Sequence, residues 1–547
     1  MTDPDRERVK TYHELTKHRL DRYAPGPGFM DWATQPDPFR RFAGAPRIAL
    51  PLLADTLDTP FGHLRRPAGT APRPLDLDNL AILLELSLGL SAWKVYGSTR
   101  WALRCNPSSG NLHPTEGYLV CPGMAGLPAG VHHYLSRDHL LEHRAAPDPA
   151  QWTALFPATG VLVGLSSIHW RETWKYGARA YRYCQHDAGH AIAALRYAAA
   201  ALGWRAQLLE AWGDDDIARL LGLDRGEDFA DAEREAPDVL LWIGLESAEP
   251  APEVLDKALI DARWHGKANR LSARHLHHWP AIDEVDAAAR KPRTPPCAPA
   301  ARPALPPLQA ASTALPAATL FRQRRSAVAF DGRTGIPASV FFGMLDALLP
   351  RPQVPPWDTL PWEPRVHPVF FVHRVEGLEA GLYILPRHGR AESALRTASR
   401  PDWLWQEVPG CPPHLPLRRL LSSDTRQAAQ IISCHQDIAA DSAFSLGMLA
   451  EFRDALGQGP WWYRFLHWEA GMLGHVLYLE AEAAGVRGTG MGCFFDDAMH
   501  ELLGLGDDRF QTLYHFTVGG PVEDPRLSTL PPYAHLKSYN AKAQSSM

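Results

Sequence analysis

The chain repeats itself. YRYCQHDAGH begins at Tyr181 and YRFLHWEAGM at Tyr463, an offset of 282 residues that holds without a gap for over forty positions. Asp187-Ala188-Gly189 falls on Glu469-Ala470-Gly471, Gly203 on Gly485, and Asp214-Asp215 on Asp496-Asp497. Leu220-Leu221-Gly222-Leu223 falls on Leu502-Leu503-Gly504-Leu505. A match this long reads as a tandem duplication, so both halves must adopt one fold. Length alone, 547 residues, allows two to four domains of any kind; the repeat narrows that to one fold used twice.

Between the halves, residues 291–320 carry eight prolines among alanines and small polar residues. Such a stretch cannot form a core and is expected to be a semi-rigid linker. The expected organisation is an N-terminal extension over 1–74, a first domain over 75–290, the linker over 291–320 and a second domain over 321–547. In each half an alanine-rich stretch of helical spacing runs to Gly203 or Gly485 and predicts a long core helix ended by a glycine. Short apolar runs near Tyr118, Val163, Val239, Phe370 and Val518 predict strands. Helix and strand do not alternate regularly, which points to an α+β fold.

Composition excludes several classes. The net charge of −5 disfavours nucleic acid or an anionic membrane as the main partner. No apolar run approaches the roughly 20 residues that span a bilayer, and the N-terminus lacks the apolar core of a signal peptide, so a cytoplasmic protein is expected. Seven scattered cysteines without a CxxC predict neither a disulfide framework nor a Cys-rich zinc site.

Three segments carry the chemistry. Asn106 to Pro114 (NPSSGNLHP) offers hydroxyls and backbone N–H groups in a tight loop, suited to a phosphate, a ribityl chain or the edge of a flavin ring, or simply to capping a helix. Arg322-Gln323-Arg324-Arg325-Ser326 suits a phosphate or is a solvated basic patch. Lys175 is the only lysine between Lys94 and Lys257 in a chain with nine lysines among 56 basic residues, which suggests that an ammonium is required there. With Tyr176 it reads either as a proton-handling pair, the lysine lowering the phenol's pKa, or as an interfacial lysine beside a packing tyrosine.

Two further segments read less strongly. Gly488 to Asp496 (GTGMGCFFD) lets backbone approach a flat ring or forms a glycine-rich connection. His186 and His190 have zinc-like spacing, but the repeat places Trp468 and Met472 there, so a packing face is expected and no metal.

At these residues the chain resembles the nitroreductase superfamily, and within it the SagB-type dehydrogenases, the thiazole/oxazole-forming flavin oxidases. NPSSGNLHPTEGYLV, GVHHYLSRDHLLE and WKYGARAYRYCQHDAGH carry the resemblance over about 75–245. RRS, EAG, GTGMGCFFD and ELLGL carry it to the broader superfamily over about 320–525. The resemblance implies two tandem domains, each a central, largely antiparallel sheet flanked by helices, packed as a pseudo-dimer within one chain. It also implies FMN bound between protomers.

Each half departs from the pattern. The first lacks Arg-Arg-Ser, and the second lacks the PSxG loop and has no Lys-Tyr pair. One composite FMN site is therefore expected. Arg324, Arg325 and Ser326 would hold the phosphate. Pro107, Ser108, Ser109 and Asn111 would contact ribityl and ring, with Gly492 and Cys493 near the ring. Lys175 and Tyr176 would be catalytic, with Tyr176 as base.

The implied reaction is hydride transfer at flavin N5, dehydrogenating an azoline or related group in a peptide or small molecule. An NAD(P)H-dependent nitro- or quinone reductase and a flavin-free scaffold are the alternatives. Expected partners are a peptide or small-molecule substrate, with no nucleic acid and no membrane, and the chain as a monomer.

Overall fold

Residues 3–536 are described by a computed structural model; the outer ends of the 1–74 and 321–547 segments lie outside the described residues. The first half opens with helix α1 (Pro4–Leu15), strand β1 (Arg47–Ala49), helix α2 (Leu77–Ser87) and the hairpin of β2 (Leu90–Tyr96) and β3 (Thr99–Arg104). Strands β4 (Thr115–Cys121), β5 (Gly130–Leu135), β6 (Leu140–Ala146) and β7 (Gly160–Ser167) lead into helices α3 (His169–Tyr176) and α4 (Ala180–Ala201). Strand β8 (Arg205–Leu208), helix α5 (Asp214–Leu221) and strands β9 (Ala236–Gly244) and β10 (Arg263–Trp264) complete it.

The second half begins with α6 (Ala317–Gln323) and strands β11 (Val366–Val372), β12 (Gly381–Ile384), β13 (Gln406–Glu407), β14 (Arg418–Ser422) and β15 (Phe444–Glu451). Helix α7 (Trp462–Ala483), strand β16 (Arg487–Met491), helix α8 (Asp496–Leu503) and strands β17 (Phe510–Gly519) and β18 (Ser528–Leu530) follow.

Each half has one main sheet. The strand order is β10-β6-β5-β4-β7-β9-β8 in the first, with β1 added to β6, and β13-β14-β12-β11-β15-β17-β16 in the second. Pairing within both sheets is antiparallel. The five apolar runs of the sequence are β4, β7, β9, β11 and β17. They read as continuous runs because both faces of each sheet are covered. In the first sheet Leu119, Val163 and Leu241 face the core shared by the halves. Their neighbours Tyr118, Leu162 and Trp242 face an outer cluster with Trp152 and Trp212, the period-2 alternation of a strand.

The long helices α4 and α7 lie against each other in the middle of the molecule. Their ends are set by Gly203 (φ 73°) and Gly485 (φ 74°), in the left-handed region that favours glycine. Contacts across them are reciprocal. Arg182 pairs with Asp496 at 2.8 Å, and Arg464, one repeat later, pairs with Asp214, one repeat before Asp496. Tyr181 stacks on its repeat partner Tyr463, rings 6.5 Å apart and 13° from parallel. Reciprocity of this kind is the mark of a two-fold interface, here between halves of one chain. The expected α+β pseudo-dimer fold is the observed one.

The halves also exchange peripheral segments. Strand β18 of the second half pairs with β2 of the first, and Tyr533 Oη accepts the Leu90 N–H at 2.9 Å. The proline-rich stretch, expected as a semi-rigid linker, has a definite path. It is strapped to the surface: Ala300 N donates to Pro361 O at 2.7 Å, Arg302 donates to Trp357 O and Leu360 O, and residues from Ala317 onward are already helical. Proline removes donors, but the remaining polar groups still find partners. Among the described residues no helix is long and apolar enough to cross a membrane.

Candidate active site

Between β3 and β4 the chain makes a tight loop in which Gly110, Asn111 and His113 all have positive φ, at 56°, 58° and 53°. Hydrogen bonds hold this costly conformation. Ser109 N donates to both carboxylate oxygens of Asp187, at 3.0 and 3.1 Å, and Ser109 Oγ donates to one of them at 3.0 Å. Ser108 Oγ accepts from His113 N at 2.8 Å, and Asn111 Nδ2 donates to Ala102 O at 2.9 Å. The serine hydroxyls expected to serve a ligand are thus engaged in shaping the loop. Glu469, one repeat after Asp187, does the same work in the second half, accepting from Arg365 N and Val366 N. There Arg387 pairs with it, and Trp362 stacks on Phe465 at 4.7 Å.

Opposite the first-half loop lies the segment after α6. Ser326 bridges to Gly488 on β16, and its hydroxyl lies 2.8 Å from Tyr478 Oη, which also accepts Gly490 N at 2.9 Å. Loop and segment enclose a cavity of about 560 Å³, within the range of small-molecule sites. Pro107, Ser108, Ser109, Asn111, Tyr176, Arg324, Arg325, Ser326, Gly492 and Cys493 all line it. Lys175 stands behind the loop, its Nζ 3.2 Å from where a β-carbon on Gly110 would lie.

One end of the cavity is strongly positive. Arg324 is 4% exposed, its Nε has no partner, and neither it nor Arg325 has a carboxylate within salt-bridge distance among the described residues. Burial lowers the pKa of both, Arg325 to about 10 with a further push from Arg324. Lys94, on β2, is lowered by burial and then by Arg325. At the other end, burial raises Asp187 to about 7.

Residues 72–231 match the nitroreductase family model. The trifolitoxin-processing protein TfxB of Rhizobium leguminosarum bv. trifolii is 30% identical over 194 residues, 33% of this chain and 46% of that relative. The chain thus spans about half the length of the curated relative it matches. A solved nitroreductase-type structure from Anabaena variabilis superposes over 94% of this chain and 99% of its own, with TM-score 0.63 and 21% identity, so the fold is shared across both halves. The E. coli microcin synthetase McbBCD complex with truncated pro-MccB17 bound is matched over 45% of this chain and 95% of that one, at 18% identity and TM-score 0.26.

Two expectations need correction. In the first half Tyr176 does not have the lowered pKa expected of an activated phenol. Burial, then the charge of Glu172, pushes its pKa well above the usual value. Lys175 instead lies 5.3 Å from the Tyr176 ring centroid and offsets Glu172, whose buried carboxylate oxygens have no hydrogen-bond partner. The glycines of β16 and beyond make room first for the protein's own side chains, while Gly490 and Gly492 still line the cavity. A β-carbon on Gly488, Gly490 or Gly492 would meet the protein's own Phe516, Tyr514 or Tyr183 within 2.6 Å.

Sequence reasoning missed Lys94, Arg487, Tyr183, Asp187 and Tyr514 on the cavity wall. The scarcity of lysine that marked Lys175 marks Lys94 equally, and the repeat marks Asp187. His186 and His190 pack on Tyr514, one stacked at 4.2 Å and the other hydrogen-bonded at 3.2 Å. Among the described residues, His367, His388 and Glu451 bring metal-ligand atoms together. Both rings face Glu451 through Nε2 while each Nδ1 accepts a backbone N–H, from Arg387 and Arg390. The protons therefore sit on Nε2, and the cluster is a hydrogen-bonded one.

Proposed function

We propose that the cavity holds FMN and that the chain is an FMN-dependent oxidoreductase of the SagB type, acting on an azoline or related group in a peptide or small molecule. The observation that carries this reading is Arg324: a buried guanidinium with no carboxylate in salt-bridge distance among the described residues, beside Arg325 and Lys94 and with Glu482 as the acid whose charge reaches it, suits a phosphate. The rest of the wall suits the remainder of the cofactor. Asn106 Oδ1 is buried without a partner, and the buried His113 lines the same wall, matching a polyol and a heterocycle edge. When bound, FMN supplies two-electron chemistry by accepting or giving hydride.

The chain's own residues bind, orient and hold protons. Arg324, Arg325, Ser326 and Lys94 anchor the anionic end. Asp187 fixes the Pro107–Asn111 loop through Ser109 and, near pH 7, holds or releases a proton at its carboxyl oxygen. Tyr176 Oη serves as a neutral donor, with Lys175 as its charged support. In this reading units at 75–290 and 321–547 each give part of one site. The name of the relative TfxB, a toxin-processing protein, favours a peptide substrate.

The test is the absorbance spectrum of purified protein, with and without added FMN, followed by anaerobic titration with NADPH. About one flavin per chain, unreduced by NADPH, supports the reading. Rapid reduction by NADPH would favour a nitro- or quinone reductase, and failure to bind FMN would leave a scaffold.

A further inference from the structure

Two cysteines from distant parts of the second half meet at the cavity wall. The segment 432–436 runs beside 493–495: Phe495 N donates to Ile432 O at 2.7 Å, and Gln436 Nε2 donates to Cys493 O at 3.0 Å. Cys434 lies between these anchors, and both it and His435 are held at positive φ, 55° and 59°, a strained geometry that structure elsewhere must support. The two thiols are close enough to hydrogen-bond. Both side chains are half-buried, and Cys493 lines the cavity with Gln436.

The pair is polarised. The Cys434 thiol and His18 lie within hydrogen-bonding reach of Cys493, and with the charge of Arg179 they lower its pKa. His18 Nδ1 accepts Ala24 N at 2.9 Å, so its proton is on Nε2 and available to the sulfur. Arg179 donates to Gly492 O at 3.2 and 3.1 Å, immediately before Cys493. Asp496, the nearby acid, is engaged by Arg179 and Arg182, and Tyr23, Tyr176 and Tyr183 are phenols near the pair. Cys434 is pushed the other way, first by its bond to Cys493 and then by burial. One acidic thiolate beside a resolving thiol is the arrangement of a reactive couple. Elsewhere burial raises Cys105 and Cys121 to about 12.

We propose that Cys493 and Cys434 are a reversible thiol–disulfide couple on the cavity wall, exchanging with small disulfides that enter the cavity. The Cys493 thiolate attacks one sulfur of the small disulfide, forms a mixed disulfide and expels one thiolate. Cys434 gives up its proton to that thiolate and attacks the Cys493 sulfur, which closes the internal disulfide and expels the second thiolate. Two electrons pass from the cysteine pair to the small disulfide, which leaves as one thiol and one thiolate. The couple stands independently of the flavin reading, since its oxidant is the small disulfide.

The test uses the full chain incubated with oxidised glutathione, quenched with N-ethylmaleimide and digested for mass spectrometry. The expected result is the loss of two free thiols, a Cys434–Cys493 linked peptide and its disappearance with dithiothreitol. Cys434→Ser should trap glutathione on Cys493, while Cys493→Ser should leave Cys434 unmodified. Recovery of both cysteines as free thiols in the wild-type chain, or glutathione on each separately, overturns the proposal.

Discussion

Gly189 of α4 and Gly471 of α7 hold the same position in the repeat, and each lies against the backbone of the other helix. A β-carbon on Gly189 would stand 2.2 Å from Trp468 O, and one on Gly471 2.2 Å from His186 O. Glycine in a helix interior costs about 1 kcal/mol relative to alanine, so its use twice at one crossing shows that close approach decides. Gly189→Ala and Gly471→Ala should each lower stability by about 1–3 kcal/mol despite the better propensity. Gly343, in a helix with nothing within 4 Å of its would-be β-carbon, should respond oppositely and gain about 0.5–1 kcal/mol. Denaturant unfolding of the three variants checks the contrast.

The reciprocal ion pairs that flank this crossing bind the halves more directly. Asp496 is buried, and burial opposes its charge, but Arg179 and Arg182 hold its pKa down to about 2 against an ordinary 3.8. A depressed carboxyl contributes stability that is present above pH 4 and lost as pH falls toward 2. Asp496→Asn should cost about 3–5 kcal/mol at pH 7 by stranding two guanidiniums. The gap to wild type should shrink between pH 4 and 2, as measured by urea midpoints across that window.

Arg324 gives the cofactor reading a sharp test. Arg324→Gln should weaken FMN binding by about tenfold to a hundredfold, the loss of one charged hydrogen-bonding partner. In the flavin-free protein the sign reverses, because a buried charge that makes no salt bridge is removed, and the variant should melt at or above the wild-type temperature. Inorganic phosphate should raise the melting temperature of the wild-type chain more than that of the variant.

How much of this was legible before the structure depends on where each property arises. Strands buried on both faces, such as β7, read as unbroken apolar runs, and α4 and α7 announce their ends with Gly203 and Gly485, so the fold was readable locally. The cavity lining was readable because its motifs divide between the halves and only one pairing completes them. What was not readable arises from packing between distant residues. The β2 hairpin carrying Lys94 is completed by β18, far along the chain, and the environment of Tyr176 is set by Glu172, whose burial no spacing reveals. The glycines after α7 illustrate the same limit, since their neighbours Phe516, Tyr514 and Tyr183 lie on other elements.

Asp187 should impose a pH dependence of its own. Its pKa of about 7 lies above the ordinary 3.8, so the folded chain holds a proton that the unfolded chain has lost. Stability from this group therefore falls as pH rises from about 4 to 7. Asp187→Asn imitates the protonated form and should gain on wild type by about 1–4 kcal/mol over that interval. Thermal unfolding at several pH values, with wild type and variant side by side, reads the difference directly.

The raised pKa of Tyr176 distinguishes a donor from a base. A phenolate base near neutrality would give turnover a rising limb that Tyr176→Phe abolishes. A neutral donor gives no such limb, yet the phenylalanine variant still loses the hydrogen bond. Tyr176→Phe should keep bound FMN, lose about a hundredfold or more in kcat and leave the shape of the pH profile unchanged. Lys175→Ala should also retain flavin while losing turnover, because it leaves Glu172 uncompensated behind the loop. Flavin content by absorbance separates these outcomes from simple loss of the cofactor. Undiminished turnover in both variants would remove the pair from the reaction and leave Asp187 as the proton-holding group on the wall.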